Sequence, residues 1–144
     1  MIDAKKLESL NISFQLDHMG IAVKSIEDAV KNYQLLGLTA VETEVVESEK
    51  VKVCMLPLKN QCQIELLEAT DESSPIAKFI EKRGEGIHHI CLRVENIENV
   101  IDNLKRDGIR LINEEPKQGA GGCKIAFIHP KAMGGVLIEL SEKM

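Results

Sequence analysis

The stretch Ile87-His88-His89-Ile90-Cys91-Leu92-Arg93-Val94 decides how the rest of the chain is read. Ile90, Leu92 and Val94 recur at every second position, the period of a β-strand with one buried face. A strand sends alternate side chains to opposite faces. His89, Cys91 and Arg93 then share one face, and His88 goes to the other with the aliphatic residues. On that parity His88 reads as structural, and His89 is the residue that needs a purpose.

A second copy supplies one. Asp17-His18-Met19-Gly20-Ile21-Ala22-Val23 matches His88-His89-Ile90-Cys91-Leu92-Arg93-Val94 at a separation of 71 residues (89 − 18 = 71). The match continues without a gap: Ile26 falls on Ile97, Glu27 on Glu98, Asn32 on Asn103 and Gly37 on Gly108. Ile64-Glu65-Leu66-Leu67-Glu68 then matches Ile138-Glu139-Leu140-Ser141-Glu142 at 74 residues (139 − 65 = 74), which places a small insertion in the second half. The chain reads as a tandem duplication of one supersecondary unit. Core aliphatics and turn glycines recur in any duplication. Here two histidines and two glutamates recur as well.

Each half reads as β-α-β-β-β. In the first, strands are expected over Leu16–Val23, Leu38–Val46, Lys50–Leu56 and Gln61–Glu68. The helix between the first two starts at the Ser25/Asp28 capping signature and stops at Gly37. In the second half a helix follows Asn96. Strands are expected over Ile109–Ile112, Cys123–Ile128 and Val136–Ser141, with a mobile glycine-rich loop at Gln118–Gly122. Ser74 and Pro75 open a linker helix between the halves. The division is a lead-in at 1–15, a first βαβββ module at 16–69, the linker helix at 70–86 and a second module at 87–144. Together they make one α+β domain whose mixed sheets curl around a single cleft.

Composition removes several function classes. The chain has 144 residues, 44 % of them hydrophobic, and a net charge of −5. An acidic protein is poorly suited to nucleic acid or an anionic membrane as its main partner. No apolar run reaches the roughly 20 residues that span a bilayer. The N-terminus carries neither a signal-peptide core nor an Arg-rich transit pattern, so the cytoplasm is the expected compartment. Cys54, Cys62, Cys91 and Cys123 show no Cys-x-x-Cys spacing and read as free thiols.

Strand parity places the site. His18, Gly20 and Ala22 lie opposite the bulky face of Met19, Ile21 and Val23. Glu65 shares a face with Gln63 and Leu67, opposite Ile64 and Leu66. Glu139 lies opposite Ile138 and Leu140. If the half-sheets curl toward one another, His18, His89, Glu65 and Glu139 converge. Two imidazoles and two carboxylates suit a divalent ion such as Co2+, Mn2+, Ni2+ or Zn2+, which acts as a Lewis acid on a carbonyl oxygen. A lone strand histidine is more often hydrogen-bonded structure, and an alternating glutamate more often faces water. Duplication of both together favours the metal. His129 precedes Pro130 in a turn, has no duplicate, and reads as a surface residue.

These segments resemble the paired βαβββ modules of the vicinal-oxygen-chelate, or glyoxalase-like, superfamily. Within it they are similar to the methylmalonyl-CoA epimerase family. The resemblance runs through Asp17–Val23, Ile64–Leu67, Asp71–Phe79, Gly86–Cys91 and Gly119–Leu140, and is most specific at Gly86-Ile87-His88-His89 and Gly134-Gly135-Val136-Leu137-Ile138-Glu139. It implies His18, His89 and Glu139 as metal ligands, with Glu65 as the fourth and Gln63 as its rival. It also implies an acyl-CoA substrate, a homodimer, and a 1,1-proton transfer shared by two glutamates. Glu139 matches one of these. The family's second glutamate precedes a glycine that is missing here, where the chain reads Glu47-Ser48-Glu49-Lys50; Glu47 is favoured over Glu49. Lys117, Lys124 and Lys131 are candidates for a basic rim that meets the coenzyme phosphates. The alternatives are a glyoxalase I-type lyase acting on a glutathione hemithioacetal, and a non-catalytic small-molecule-binding member of the superfamily.

Overall fold

The copy at Asp17–Val23 lies in strand β1 (Gln15–Ala22) of the computed structural model, which describes residues 3–10 and 12–143. A short exposed helix, α1 (Ala4–Ser9), precedes it. The first half continues with α2 (Ile26–Gln34), β2 (Thr43–Val46), β3 (Val51–Pro57) and β4 (Gln63–Ala69). Helix α3 (Pro75–Arg83) leads into β5 (Gly86–Arg93), α4 (Ile97–Arg106), β6 (Lys117–Gln118), β7 (Lys124–Ile128) and β8 (Ile138–Glu142).

The eight strands form one sheet in the order β2-β3-β4-β1-β5-β8-β7-β6. Read from either edge the order is the same plan, because β2 corresponds to β6, β3 to β7, β4 to β8 and β1 to β5. β1 pairs parallel to β4, and β5 parallel to β8. The halves join where β1 and β5 run antiparallel, with Met19 opposite Ile90 at the local dyad. The sheet curls until its edges meet. Lys117 beside one edge pairs with Glu49 beside the other, and the Gly121 amide donates to Glu44 at 3.2 Å.

Helices α2 and α4 cover the convex side. Ile26 of α2 packs on Val23, Leu56 and Leu66, while Ile97 and Ile101 of α4 pack on Val94, Ala126, Ile128 and Leu140. Ile97 and Ile101 are fully buried, each contributing about 1.5–3 kcal/mol of apolar burial. Both helix starts are held in the same two ways. The side chains of Ser25 and Asn96 accept the amides of Asp28 and Asn99. The duplicated Glu68 and Glu142 accept the amides of Ile26 and Ile97 at 2.7 and 2.8 Å. Among the described residues, helix α3 has no copy in the second half. It packs on the concave face, with Ile76, Phe79 and Ile80 against Ala22, Val51, Val53 and Leu67.

Several expectations change. The strand expected over Leu38–Val46 forms only at Thr43–Val46, although the Val41 amide still donates to Met55. Ile109–Ile112 is no strand but a single bridge between Leu111 and Ile128, because the Asn113 side chain accepts the Phe127 amide at 2.9 Å and ends the ladder. The loop at Gln118–Gly122 uses its glycines for shape. Gly121 and Gly122 take positive φ (68° and 75°), and a Cβ on Gly119 would come within 2.7 Å of Ile125.

The largest correction concerns parity. Leu16 faces Leu92 and His18 faces Cys91, so Asp17 is an extra residue in β1; Gly20 faces His89 and Ile21 faces Ile87, so His88 is extra in β5. Two residues facing one is a β-bulge, which re-aims a side chain. Strict alternation therefore fails at His88, which lines the same cavity as His89.

Candidate metal centre and catalytic cleft

The dyad at Met19 and Ile90 sets His18 beside His89, with their Nε2 atoms 3.1 Å apart. Both rings are buried, at 5 % and 4 % exposure. Room for the second ring comes from Gly20, where a Cβ would lie 2.1–2.8 Å from the His89 ring atoms. The copy of Gly20 is Cys91, whose side chain lies beside His18 instead; burial pushes its thiol up to about 12, so it stays protonated.

The outer strands bring the carboxylates. Glu65 faces Gly20 across the β1/β4 ladder, and Glu139 faces Cys91 across β5/β8. Glu65 Oε1 lies 3.4 Å from His18 Nε2 and 3.6 Å from His89 Nε2. Glu139 Oε1 lies 3.5 and 2.9 Å from the same two atoms. A cation bonded to such donors at about 2.0–2.2 Å holds neighbouring donors roughly 3.0–3.5 Å apart. The nitrogen–oxygen and nitrogen–nitrogen spacings fit that shell, and four inward-facing donors have no apolar reason to gather. His18, His89 and Glu139 bring their ligand atoms close enough together to hold a divalent ion, and Glu65 reaches both imidazoles from the other side as the candidate fourth ligand.

The electrostatics favour a cation at this point. Burial opposes ionisation of Glu139, but its hydrogen bonds to His18 and His89 outweigh that and hold it near 2. Burial and the neighbouring carboxylates push Glu65 up, against the pull of both imidazoles. Burial disfavours a charged His18, yet hydrogen bonds to Asp17, Cys91 and Glu139 and the Glu65 charge raise it well above the usual histidine range.

Behind His18, Asp17 Oδ2 accepts from Nδ1 at 2.7 Å. Burial works against the Asp17 charge, but His18 and the Arg93 guanidinium, whose Nε donates at 2.9 Å, hold it near 2. Arg93 also reaches Gln61 at 3.1 Å. Behind His89, His88 Nδ1 faces His89 Nδ1 at 3.0 Å. Burial and the adjacent His89 push His88 down to about 4. Asp17, Arg93 and His88 were missed as site residues. For Asp17 and His88 the signal was present in the copy itself, as each is the residue preceding a duplicated histidine.

Two cavities flank the donors. An apolar one of about 90 Å3 is lined by Val51, Val53, Leu67, Ile76 and Phe127, with Glu49, Glu65, His88, His89 and Glu139 on its wall. A second, of about 400 Å3 and more mixed in lining, opens beside His18, Gln63 and Ser141. Gln63 lines the second cavity, whereas Glu65 reaches both imidazoles. Glu47 is exposed on the turn Glu47–Glu49, which Lys50 closes in the left-handed conformation (φ 52°). Glu49 is half-buried on the cavity wall, paired with Lys117. His129 is away from the cleft, its Nδ1 accepting the Lys131 amide at 3.1 Å.

Comparisons with known proteins give this geometry relatives. Residues 17–127 match the family described as Glyoxalase/Bleomycin resistance protein/Dioxygenase superfamily. The ethylmalonyl-CoA/methylmalonyl-CoA epimerase of Cereibacter sphaeroides is 41 % identical over 131 residues, covering 89 % of this chain and 97 % of the relative. The mitochondrial methylmalonyl-CoA epimerase of Homo sapiens is 40 % identical over 130 residues, covering 89 % and 73 %. The crystal structure of methylmalonyl-CoA epimerase from Mycobacterium tuberculosis superposes with a TM-score of 0.86 at 40 % identity, covering 90 % of this chain and 87 % of that one.

Two outcomes follow from the geometry. Gly20→Ala drives the His89 ring out of place and weakens Co2+ binding by at least ~10-fold in a chelator competition; unchanged affinity would mean that the ring does not need the hollow. His18 is raised, so the metal-free protein carries its proton at pH 7, and metal binding must release it. Calorimetric Co2+ titration in buffers of different ionisation enthalpy should show about one proton released at pH 7, and affinity climbing as pH rises toward 8. Binding without proton release would contradict the assignment of His18 as a ligand.

Proposed function

The chain belongs to the glyoxalase/bleomycin resistance protein/dioxygenase superfamily, and from that premise we propose that it is an epimerase acting on methylmalonyl-CoA, interconverting the (R) and (S) forms by a 1,1-proton transfer. One observation carries the reading furthest. Glu49 from the first half and Glu139 from the second stand on the wall of one apolar cavity, beside the four-donor cluster. Epimerisation needs one group to take the C2 proton from one face and another to return it on the other.

Glu139 is held ionised, and its contacts to the imidazoles run through Oε1. Its other oxygen is then the one to exchange a proton with C2. Glu49 takes the opposite role in place of Glu47, because Glu49 lines the cavity and Glu47 is exposed. Val51, Val53, Leu67, Ile76 and Phe127 exclude water from the reacting carbon, which strengthens every charge interaction there. A divalent ion held by His18, His89, Glu65 and Glu139 supplies, when bound, electrostatic stabilisation of the negative charge that develops beside C2. The ion is Co2+, Mn2+, Ni2+ or Zn2+ on donor type.

The rim for the coenzyme moves from where the sequence suggested it. Lys117 is paired with Glu49, and Lys124 with Glu98 at 2.8 Å; Lys131 is exposed on a turn. Lys78, Lys82 and Arg83 of α3 form no ion pair among the described residues. They border a groove of about 270 Å3 that shares Pro75 and His88 with the reaction cavity. Three cations without an acidic partner among the described residues, Arg83 lying over the Phe79 ring, suit the phosphates of an acyl-CoA.

In deuterated water, metal-loaded protein should exchange the C2 proton of methylmalonyl-CoA. Glu49→Gln should retain metal and lose at least ~100-fold of epimer interconversion and of exchange from the epimer whose C2 proton faces Glu49, while Glu139 still exchanges the other. Full exchange in Glu49→Gln with loss in Glu47→Gln would return the role to Glu47, and no exchange by the parent protein would defeat the epimerase reading. Lys82→Glu with Arg83→Glu should raise KM for the thioester at least ~10-fold with kcat little changed. An unchanged KM would place the phosphates elsewhere.

A further inference from the structure

The geometry points to His88 as the positioning residue of His89, filling in the second half the place that Asp17 fills in the first. This rests on the reading of His18 and His89 as metal ligands. Each central strand carries one extra residue, and the two extra residues, Asp17 and His88, are copies of one another (88 − 17 = 71). The duplication therefore preserved the bulge as well as the ligand after it. In both halves the bulge does the same thing. It turns the extra side chain back onto the neighbouring ring: Asp17 Oδ2 to His18 Nδ1 at 2.7 Å, and His88 Nδ1 to His89 Nδ1 at 3.0 Å.

Two ring nitrogens at that distance share one proton. His89 points Nε2 at the donor cluster, 3.1 Å from His18 Nε2 and 2.9 Å from Glu139 Oε1. For Nε2 to offer a lone pair to a cation, the ring proton must be on Nδ1. His89 Nδ1 then donates and His88 Nδ1 accepts, which fixes both the tautomer and the ring plane. The His88 ring is in turn held edge-on to Phe79 of α3, with centroids 5.0 Å apart.

The copies differ in charge, and the difference has a use. Asp17 is a carboxylate balanced by Arg93. A second carboxylate at position 88 would face the same cavity as the buried Glu65 and Glu139. An imidazole supplies the acceptor without adding a fourth carboxylate to a wall that already carries Glu49, Glu65 and Glu139. His18 is thus the ligand with an anionic partner and His89 the ligand with a neutral one.

Two substitutions separate this role from simple packing against Phe79, because the two roles predict opposite orders. His88→Phe keeps an aromatic ring and removes the acceptor. His88→Asn loses the ring and sets an amide oxygen close to where Nδ1 was. Co2+ affinity is read by chelator competition, and the thermal midpoint is read on metal-free protein. His88→Phe should bind Co2+ about 10–100-fold more weakly with no fall in the metal-free midpoint, whereas His88→Asn should stay within about threefold of the parent despite a lower midpoint. His88→Phe binding like the parent, or His88→Asn binding as weakly as His88→Phe, would overturn the inference. A parent that exchanges the C2 proton while His88→Phe keeps full affinity defeats the positioning role alone. A parent that takes up no ion defeats the site reading together with it.

Discussion

The antiparallel pairing of β1 with β5 is the contact on which the cleft depends. Among the described residues it is the strand pairing that joins the halves of the sheet, and its dyad at Met19 and Ile90 sets His18 against Cys91 and Gly20 against His89. The parallel partners on either side then carry Glu65 and Glu139 to matching places. A slip by one residue along this seam would turn the buried histidine of that strand to the convex side and a core aliphatic into the cleft. Gly20 makes the seam specific, since no larger residue leaves space for the His89 ring.

The same duplicated strand serves stability and chemistry at once. In Ile64–Glu68 and Ile138–Glu142 the first glutamate faces the cleft, and the second, three residues on, faces the convex side and holds a helix N-terminus. One face collects charge that only a cation or protons can balance. The other offsets the helix ends and closes the aliphatic cores under α2 and α4. Desolvating two carboxylates and two imidazoles costs several kcal/mol unless they are paired. The cores and the curled sheet hold the cluster in place against that cost, so the site is preorganised by parts of the chain that never meet a ligand.

Periodicity and self-similarity made most of this legible. The duplication, the helix caps at Ser25, Ser74 and Asn96, and the convergence of His18, His89, Glu65 and Glu139 all follow from spacing and parity. The sequence misled wherever parity is locally suspended. A bulge adds one residue without any composition change, so by alternation His88 reads as core, and only its place before a duplicated histidine marks it. Ile109–Ile112 has strand-like residues but loses its ladder to the Asn113 side chain. The glycines at 119–122 read as mobility, while the structure uses them for left-handed turns and close approach to Ile125. The choice between Glu47 and Glu49 depended on which way one short turn presents its side chains. The rim lysines were judged by loop position alone, and two of the three are already paired.

Anomalous diffraction from crystals loaded with Co2+ tests the central claim most directly. The account predicts one strong peak per chain, within about 2.0–2.3 Å of His18 Nε2, His89 Nε2 and an oxygen each of Glu65 and Glu139. A peak bound by other side chains, or none at the dyad while cobalt occupies the surface, would contradict it.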